Sequence, residues 1–214
     1  MNILIIGAAG GIGRQAVETA LAGGLRVTAV LRDPSKLSIG HPNLEVVKGD
    51  ILQPENFASH LQGQDAVISA IGVKSGLTHD EPTTLYSQGN YRLLQAMRQA
   101  GIKRVFFISA SAIEISPLLP YMVRLAAKYV LQKLLHHMYA DLRAMERLIR
   151  ESDANWTIVR PPRLTDKPAT GRYRWSVNSW LRNALSISRA DVAHFMLHHL
   201  QDESTYRGVV EIAY

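Results

Sequence analysis

Short, unbroken apolar runs alternate with segments of helical spacing along this chain. Runs of about four to six apolar residues between turn residues are typical of strands that are buried on both faces of a parallel sheet. The runs predict strands at residues 2–6, 27–31, 44–48, 66–70, 104–109, 156–159 and 209–213, the last of them at an edge. We therefore expect a sheet that is covered on both sides.

Helical spacing fills most of the intervals between these runs. It predicts helices at 14–22, after Pro54, at 83–100, from Pro120 to about Glu151 with a break near His136-His137, and at 190–200, with Ser188 as the N-cap. Strands that alternate with helices are joined by right-handed crossovers. The pattern predicts an α/β fold: a Rossmann-type, doubly wound, mostly parallel sheet with helices on both faces.

The length favours a single domain over residues 1–214, because chains usually divide into domains of roughly 100–200 residues. Within it, residues 160–182 are predicted to form a loop in which Tyr173, Trp175 and Trp180 are one wall of a substrate pocket, and the portion around 162–188 is assigned to that pocket. In doubly wound sheets the ligand binds outside the carboxyl ends of the strands. The residues just after each strand are therefore the candidate site.

Glycines follow the first predicted strand at the spacing of a dinucleotide-binding turn. Gly7 allows a tight turn, Gly10 lets a diphosphate approach the backbone, and Gly13 lets the helix pack closely on the sheet. The helix N-terminus offers unpaired N–H groups and a positive dipole end to phosphates. The predicted diphosphate-binding residues are Gly7, Ala9, Gly10, Gly11, Ile12 and Gly13.

A basic residue follows the second predicted strand, where NAD-binding proteins usually carry Asp or Glu. Arg32 stands there, with Lys36 shortly after it. A guanidinium at this position pairs with the 2′-phosphate of NADP, so we expect NADP(H) as the coenzyme. The alternative is that Asp33 faces the ribose, in which case NAD would be accepted.

The ends of the remaining strands carry small or turn-forming residues. After the third strand, Asp50 and Ile51 are placed near the adenine edge, although an ordinary turn is equally consistent with the spacing. Small residues follow the fourth and fifth strands, where the ribose and nicotinamide would lie. A stiff proline pair follows the sixth strand. These residues are Ala70, Ile71, Gly72, Ser109, Ala110, Pro161, Pro162 and Arg163.

Together these motifs resemble the atypical branch of the short-chain dehydrogenase/reductase superfamily. The similarity is to its NAD(P)H-binding, NmrA-like group, which includes biliverdin reductase B, also called flavin reductase. It covers nearly the whole chain through residues 7–13, 32–37, 49–51, 67–72, 105–109, 146–152, 156–162 and 188–193.

The resemblance implies an NADPH-dependent oxidoreductase that transfers hydride to a flat, conjugated acceptor such as a flavin, tetrapyrrole or quinone. It implies that the coenzyme contacts the residues named above, with Ser109, Ser111 and Tyr139 as candidate catalytic residues. One alternative is an NADP-binding redox sensor without turnover, as in some NmrA-like proteins. A sugar epimerase of the same superfamily is a third, but the chain has little room for an added substrate domain.

The Tyr and Lys that standard members use for proton transfer are not in their usual place. Tyr129 and Lys133 are separated by the usual four residues. Alignment on the helix before the sixth strand instead places Met138 and Leu142 at the positions of Tyr and Lys, so that Tyr139 and Arg143 each follow the expected position by one residue. The alternative for both tyrosines is a packing role. Hydride transfer to a flavin requires orientation more than a protein acid, because solvent protonates the product.

Composition limits the other functions. A hydrophobic fraction of 47% supports a core, and no cysteine is present, so disulfides, thiolate zinc sites and cysteine nucleophiles are excluded. The net charge is +6 without a basic block, and no ligand spacing suggests a metal. We expect a cytoplasmic monomer or homodimer that binds a small-molecule acceptor, with no metal, no nucleic acid and no stable membrane insertion.

One apolar helical stretch, from Leu118 to Met138, carries a narrow polar stripe that includes Arg124 and Lys128. We expect it to cover the substrate pocket or to pack on a partner subunit. Contact with a membrane surface is the alternative.

Overall fold

Strands form the centre of the fold. The structure, a computed structural model, describes residues 1–73 and 82–214. Its strands are β1 (Asn2–Ile6), β2 (Arg26–Leu31), β3 (Leu44–Lys48), β4 (Ala66–Ser69), β5 (Arg104–Ile108), β6 (Asn155–Arg160), β7 (Arg163–Thr165), β8 (Arg174–Val177), β9 (Ser186–Ser188) and β10 (Gly208–Ala213).

Helices connect most of these strands. The α-helices are α1 (Gly11–Ala22), α2 (Leu85–Gln99), α3 (Tyr121–Ala126), α4 (Gln132–Leu134), α5 (His136–Arg150) and α6 (Arg189–His198), and a π-helical turn (Ala127–Leu131) joins α3 to α4. Short 3-10 helices lie at Pro34–Lys36, Pro54–Asn56, Ala58–Leu61, Ser111–Ile113 and Glu203–Thr205.

The main sheet has the order β3-β2-β1-β4-β5-β6-β10-β8, and β7 pairs with β9 in a separate two-stranded sheet. All neighbours in the main sheet are parallel except β8, which runs antiparallel to β10. The prediction of a doubly wound, mostly parallel sheet is confirmed. The prediction that 209–213 is an edge strand is wrong, because β8 pairs with it on its outer side.

Two apolar cores lie on the two faces of the sheet. Ile3 and Ile5 of β1 face the core beneath α1 and α6, whereas Leu4 and Ile6 face the core beneath α2 and α5. Successive strand residues point to opposite faces, so a strand buried on both sides must be apolar at nearly every position. This is why the continuous apolar runs marked the central strands correctly.

The first helix begins at Gly11, three residues before its predicted start. Gly10 is the N-cap residue, with φ −77° and ψ 162°. Helix propensity disfavours glycine, and it placed the predicted start at Arg14. Tertiary packing overrides that preference, since Ile12, Gly13, Ala16 and Val17 are buried against the sheet.

The segment from Tyr121 to Leu134, comprising α3, the π-helical turn and α4, buries none of its residues. The helical stretch breaks at Leu135, next to the predicted break, where φ is −110° and ψ is 23°. The segment is tied to the 3-10 helix that follows β5, because the Gln132 amide donates to the carbonyl of Ala112 at 3.1 Å. Among the described residues, no helix is long and apolar enough to cross a membrane.

Candidate functional site

The residues that follow the parallel strands lie together at one edge of the sheet. The backbone N–H of each donates to a carbonyl of the neighbouring strand, which fixes the row. The order of the strands reverses between β1 and β4, which is where doubly wound sheets bind their ligand. The hydrogen bonds run from Gly49 to Leu31 (3.0 Å), Gly7 to Val30 (3.2 Å), Ala70 to Ile6 (2.9 Å) and Ser109 to Val159 (2.8 Å).

The turn between β1 and α1 requires its glycines. Gly7 has φ +82°, and a Cβ there would lie 2.5 Å from the carbonyl oxygen of Ala70. A Cβ at Gly13 would overlap the carbonyl oxygen of Gly7, so the helix packs directly on the turn. Within residues 1–73 and 82–214, no side chain caps the N-terminus of α1, and no acidic residue lies in its first turn. Its first N–H groups are therefore available to an anion, which fits a dinucleotide diphosphate.

The turn after β2 separates the roles of its two charged residues. The Asp33 carboxylate accepts from the Ser35 hydroxyl at 2.7 Å and from the Ser35 backbone N–H at 3.2 Å, and Lys36 Nζ lies 3.7 Å away. The Ser35 hydrogen bond lowers the pKa of Asp33. Arg32 is exposed and makes no hydrogen bond or ion pair within residues 1–73 and 82–214. The Arg32 guanidinium is thus the group at this turn that can bind an anionic ligand.

A second arginine lies beside the same helix N-terminus, and the sequence analysis did not assign it to the site. A Cβ at Gly11 would lie 2.7 Å from Nε of Arg189, which is the first residue of α6. The Arg189 guanidinium forms an ion pair with Asp166 at 2.7 Å, and both side chains are partly or largely exposed. Packing of α1 against α6 brings these distant residues together, a contact that no local motif indicates.

The turn after β3 is closed by its own side chains. Asp50 Oδ1 accepts from the backbone N–H of Leu52 at 3.0 Å. Ile51 is buried in the core, where a Cβ added at Gly89 of α2 would lie 2.8 Å from its side chain. Any contact of Ile51 with an adenine ring would therefore come from its backbone.

Small residues follow β4 at the reversal of strand order. Ala70 is buried, Ile71 is half-buried and Gly72 is exposed, so the chain leaves the sheet and reaches the surface within three residues. The Tyr86 hydroxyl accepts from the backbone N–H of Val73 at 3.2 Å and fixes this exit.

A buried polar network supports the site from beneath, and the sequence analysis did not identify it. The Ser69 hydroxyl donates to Asn90 Oδ1 at 2.6 Å, and the Asn90 amide donates to the carbonyl of Tyr86 at 2.9 Å. Asp141 of α5 accepts from the Tyr86 backbone N–H at 2.9 Å, at the N-terminus of α2. The sequence signal available was a pair of polar residues, Tyr86 and Asn90, four residues apart on an otherwise apolar helix face. Buried polar groups need hydrogen-bond partners, so such a pair indicates a polar network.

Ser109 and Ser111 flank Ala110 at the end of β5. Ser109 is only 7% exposed, and its hydroxyl has no hydrogen-bond partner among the described residues. The backbone N–H of Ser111 donates to the carbonyl of Pro161 at 3.1 Å, which joins the ends of β5 and β6. An unpartnered buried hydroxyl at this edge fits a ligand that supplies the missing hydrogen bond.

The two candidate tyrosines lie in different environments. Tyr139 is 3% exposed in the core beneath α5, and burial raises its pKa to about 12. Tyr129 is 56% exposed in the segment that buries none of its residues, and Lys128 Nζ lies 5.3 Å from its ring. A catalytic role for Tyr139 stays a prediction, and its hydroxyl remains protonated over the neutral pH range.

A buried ion-pair cluster holds the end of β6. Arg160 donates to Glu146 at 2.8 and 2.5 Å and to Glu114 at 2.6 Å. The hydrogen bonds to these carboxylates raise the pKa of Arg160 despite its burial, so it stays charged. Within the described ranges, no three His, Asp or Glu side chains are placed to hold a metal ion.

The proline pair continues from this cluster. Pro161 is buried, Pro162 is half-buried, and Arg163 is exposed at the start of β7, where it pairs with Ser186 of β9. The stiff turn is therefore fixed on one side by Arg160 and on the other by the small sheet.

The aromatic residues of the predicted 160–182 loop do not form one wall. The segment contains strands β7 and β8, and two of its aromatic rings pack on α6, on the face away from α5. Tyr173 shares a hydrogen bond of 2.7 Å with His194, and the Trp175 ring lies 5.5 Å from that of Phe195. Trp180 instead lines a cavity on the α5 face. The expectation of a loop with a common aromatic wall is wrong, because Tyr173 and Trp175 stand two residues apart on one face of the sheet, whereas Trp180 lies beyond the end of β8.

Known proteins match the chain over nearly its full length. A family model described as NAD(P)H-binding matches residues 7–203. An uncharacterized chloroplastic protein of Arabidopsis thaliana is 31% identical over 99% of this chain and 76% of its own length. An uncharacterized sugar epimerase of Bacillus subtilis is 28% identical, covering 96% of this chain and 90% of its own.

Solved structures share the fold. A wide-type short-chain dehydrogenase/reductase from Veillonella parvula, solved in complex with NADP, superposes with a TM-score of 0.82 over 100% of this chain and 94% of that one. Its sequence identity is 21%, so the likeness supports the architecture alone.

Proposed function

The chain belongs to the NAD(P)H-binding family, among the atypical short-chain dehydrogenases/reductases, and on that basis we propose that it is an NADPH-dependent oxidoreductase. The proposed reaction transfers hydride to a flat, conjugated acceptor such as a flavin, tetrapyrrole or quinone. Family membership supports NAD(P)H binding and oxidoreductase-like chemistry. The coenzyme form and the acceptor are our proposals.

One observation carries the preference for NADPH: among the described residues the Arg32 side chain has no partner, whereas Asp33 is engaged in its own turn. Asp33 accepts from Ser35 and is close to Lys36, so its carboxylate points into the 3-10 turn that it caps. Arg32 is left to bind the 2′-phosphate, and Lys36 adds positive charge nearby. A charge-assisted hydrogen bond contributes about 1.5–3 kcal/mol, which corresponds to about tenfold to a hundredfold in affinity.

The diphosphate would lie over the uncapped N-terminus of α1. The turn supplies N–H donors there, and we add Arg189 as a further diphosphate contact because its side chain lies beside Gly11. To bind the diphosphate, Arg189 would leave its ion pair with Asp166. That pair is exposed and contributes little to stability, so its loss costs little. The proposed diphosphate contacts are Gly7, Ala9, Gly10, Gly11, Ile12, Gly13 and Arg189.

NADPH supplies the hydride from its nicotinamide ring when bound. The chain supplies orientation: the backbone after β4 and β5 lines the ribose and nicotinamide, and the stiff Pro161-Pro162 turn is the wall behind the ring. Asp50 and the backbone of Ile51 are proposed to flank the adenine. The remaining proposed contacts are Ala70, Ile71, Gly72, Ser109, Ala110 and Arg163.

The positions of three hydroxyl groups, those of Ser109, Ser111 and Tyr139, bear on how the reduced acceptor obtains its proton. Ser109 has an unpartnered buried hydroxyl at the end of β5, and Ser111 lies two residues further along the same edge, so both are candidates to bind the acceptor. With a pKa of about 12, Tyr139 gives up its proton only to a strongly basic group. A reduced flavin or quinone takes its proton from solvent, which makes orientation the main catalytic contribution.

Acceptor-dependent oxidation of NADPH tests the proposal. NADPH absorbance is followed with FMN, FAD, biliverdin and 1,4-benzoquinone, each with and without protein. We expect at least one acceptor to raise the rate of oxidation well above the protein-free control, and NADH to react more slowly. Absence of any acceptor-dependent rate in the presence of tight NADPH binding would reject the enzyme and leave the second candidate.

That second candidate is an NADP-binding redox sensor without turnover. Two points favour it: alignment on the helix before β6 places Met138 and Leu142 where standard members have Tyr and Lys, and Tyr139 is buried in the core. A sensor would bind NADP+ and NADPH with different affinities, and equilibrium titration of each form measures that difference.

Location and assembly stay predictions. A cytoplasmic location is our expectation, although one relative is chloroplastic. The same holds for a monomer or homodimer and for the absence of a nucleic-acid partner.

A further inference from the structure

A cavity of about 530 Å³ lies on the α5 face of the sheet, away from the glycine turn. Trp156 and Val209 belong to the core of this face and line the cavity, so the space continues that core outward beyond α5. It exists because β10 and β8 extend the sheet, and the helix associated with them, α6, lies on the opposite face. Its volume is within the range of small-molecule sites.

The rim of the cavity is held by specific contacts. Asn178, in the left-handed region with φ 52°, donates its backbone N–H to the carbonyl of Val209 at 2.7 Å. Its side chain accepts from the Val209 N–H at 2.9 Å. These two bonds anchor the backbone that carries Ser179 and Trp180 at the mouth of the cavity.

Two residues that line this cavity each carry a buried polar atom without a partner. Trp156 and Glu211 are each 4% exposed, and Trp156 Nε1 and Glu211 Oε1 make no hydrogen bond within the described part of the chain. A buried polar atom that lacks a hydrogen bond destabilises the folded state. The neighbouring carboxylates of Glu114 and Glu146 are, in contrast, both bonded to Arg160. Of the four buried side-chain atoms without a partner in the described residues, two therefore belong to residues that line the cavity.

The two ends of the cavity differ in charge. Arg150 and Arg207 line one end beside Trp156: the Arg150 guanidinium lies 5.8 Å from the Trp156 ring and 3.3 Å from Glu146, and the Arg207 backbone N–H donates to the carbonyl of Trp156 at 2.7 Å. Glu211 lies four residues further along the chain, which corresponds to about 13 Å of extended strand. Glu211 stands opposite Arg160 in the sheet, so the other end carries the carboxyl groups of Glu211 and Glu114 beside the Arg160 guanidinium.

We propose that this cavity binds a flat, elongated organic anion that is distinct from the coenzyme. Its anionic group lies against Arg150 and Arg207 and accepts from Trp156 Nε1, its ring system packs on Trp180, and a donor group at its far end bonds Glu211. The contacts are independent of the coenzyme turn, so the site stands or falls separately from the proposed reaction.

Indole resonances test this assignment with 6-aminonaphthalene-2-sulfonate as the probe, a flat anion with an amine at the far end. The ¹⁵N-labelled protein is titrated, and the three indole N–H signals are assigned with Trp175→Phe and Trp180→Phe. We expect the Trp156 signal to move downfield in a saturable way, because its N–H gains an acceptor. The Trp175 signal should stay in place, since that ring packs against Phe195 on the other face.

Matched probes and variants separate this site from non-specific binding. Naphthalene-2-sulfonate lacks the amine, so it should bind the wild type about fivefold more weakly than 6-aminonaphthalene-2-sulfonate does. The two probes should bind Glu211→Leu with equal affinity. Arg207→Asn keeps a residue that tolerates the positive φ at that position and should weaken both probes about tenfold. An unmoved Trp156 signal at millimolar probe, or affinities that neither variant changes, would overturn the proposal.

Discussion

Replacing Glu211 by glutamine should stabilise the folded protein by an amount that depends on pH. The carboxyl group is buried and makes no hydrogen bond among the described residues. Burial raises its pKa from the ordinary value of 4.5 to about 7, against the attraction of Arg160 and with a further increase from Glu114 and Glu146. Glutamine has nearly the same shape and carries no charge.

The sign follows from the proton that the folded state retains. Between pH 4.5 and 7 the folded protein holds a proton on Glu211 that the unfolded chain has released, so wild-type stability falls as pH rises through this range. The separation of the two pKa values corresponds to about 3 kcal/mol once the pH exceeds 7. The Glu211→Gln variant does not lose this free energy. The difference in free energy of unfolding between the variant and the wild type should therefore grow by about 3 kcal/mol from acidic to mildly alkaline pH.

Urea unfolding monitored by tryptophan fluorescence measures the free energy of unfolding at several pH values between about 5 and 8. Glu55→Gln, a substitution of the same kind at an exposed position, is the control and should give no pH-dependent difference. If the difference between Glu211→Gln and the wild type varies by less than about 0.5 kcal/mol over this range, Glu211 ionises normally in the folded state and the reasoning is refuted.

Three further substitutions test the site. Arg189→Ala should weaken NADPH and NADH by the same factor, about tenfold, because both share the diphosphate; unchanged titrations would remove this residue from the site. Tyr139→Phe should keep kcat for flavin reduction within about tenfold, as should the control Tyr129→Phe, whereas a kcat loss beyond about 100-fold would make Tyr139 the proton donor. Gly13→Ala should destabilise the fold by about 2 kcal/mol or more in urea unfolding, because its Cβ overlaps a carbonyl, and Gly10→Ala by clearly less; equal effects would contradict the packing argument.

The central strands were predictable because burial on both faces requires apolar residues at nearly every position. Strands β7 and β9 were not, since each has three residues and is defined by pairing across about 20 residues of chain. The position of β10 was predicted wrongly for a similar reason. Its outer neighbour, β8, comes from a segment rich in arginine that reads as a loop.

The candidate site shows the same division between local and distant information. The glycine turn and Arg32 were predicted from short motifs, and the separate role of Asp33 follows from the nearby Ser35, a contact within the same turn. Arg189 and Glu211 could not be assigned, because they reach their surroundings through contacts between residues far apart in sequence. Only the packing of α6 on α1, and of β10 beside β6, creates those environments.

Calorimetric titration of the protein with NADP+ and NAD+ tests the assignment of the crevice most directly. We expect NADP+ to bind at least about tenfold more tightly than NAD+, and Arg32→Ala to abolish that difference while leaving the affinity for NAD+ unchanged. Failure of both coenzymes to bind, or an equal loss of affinity for both in Arg32→Ala, would contradict it.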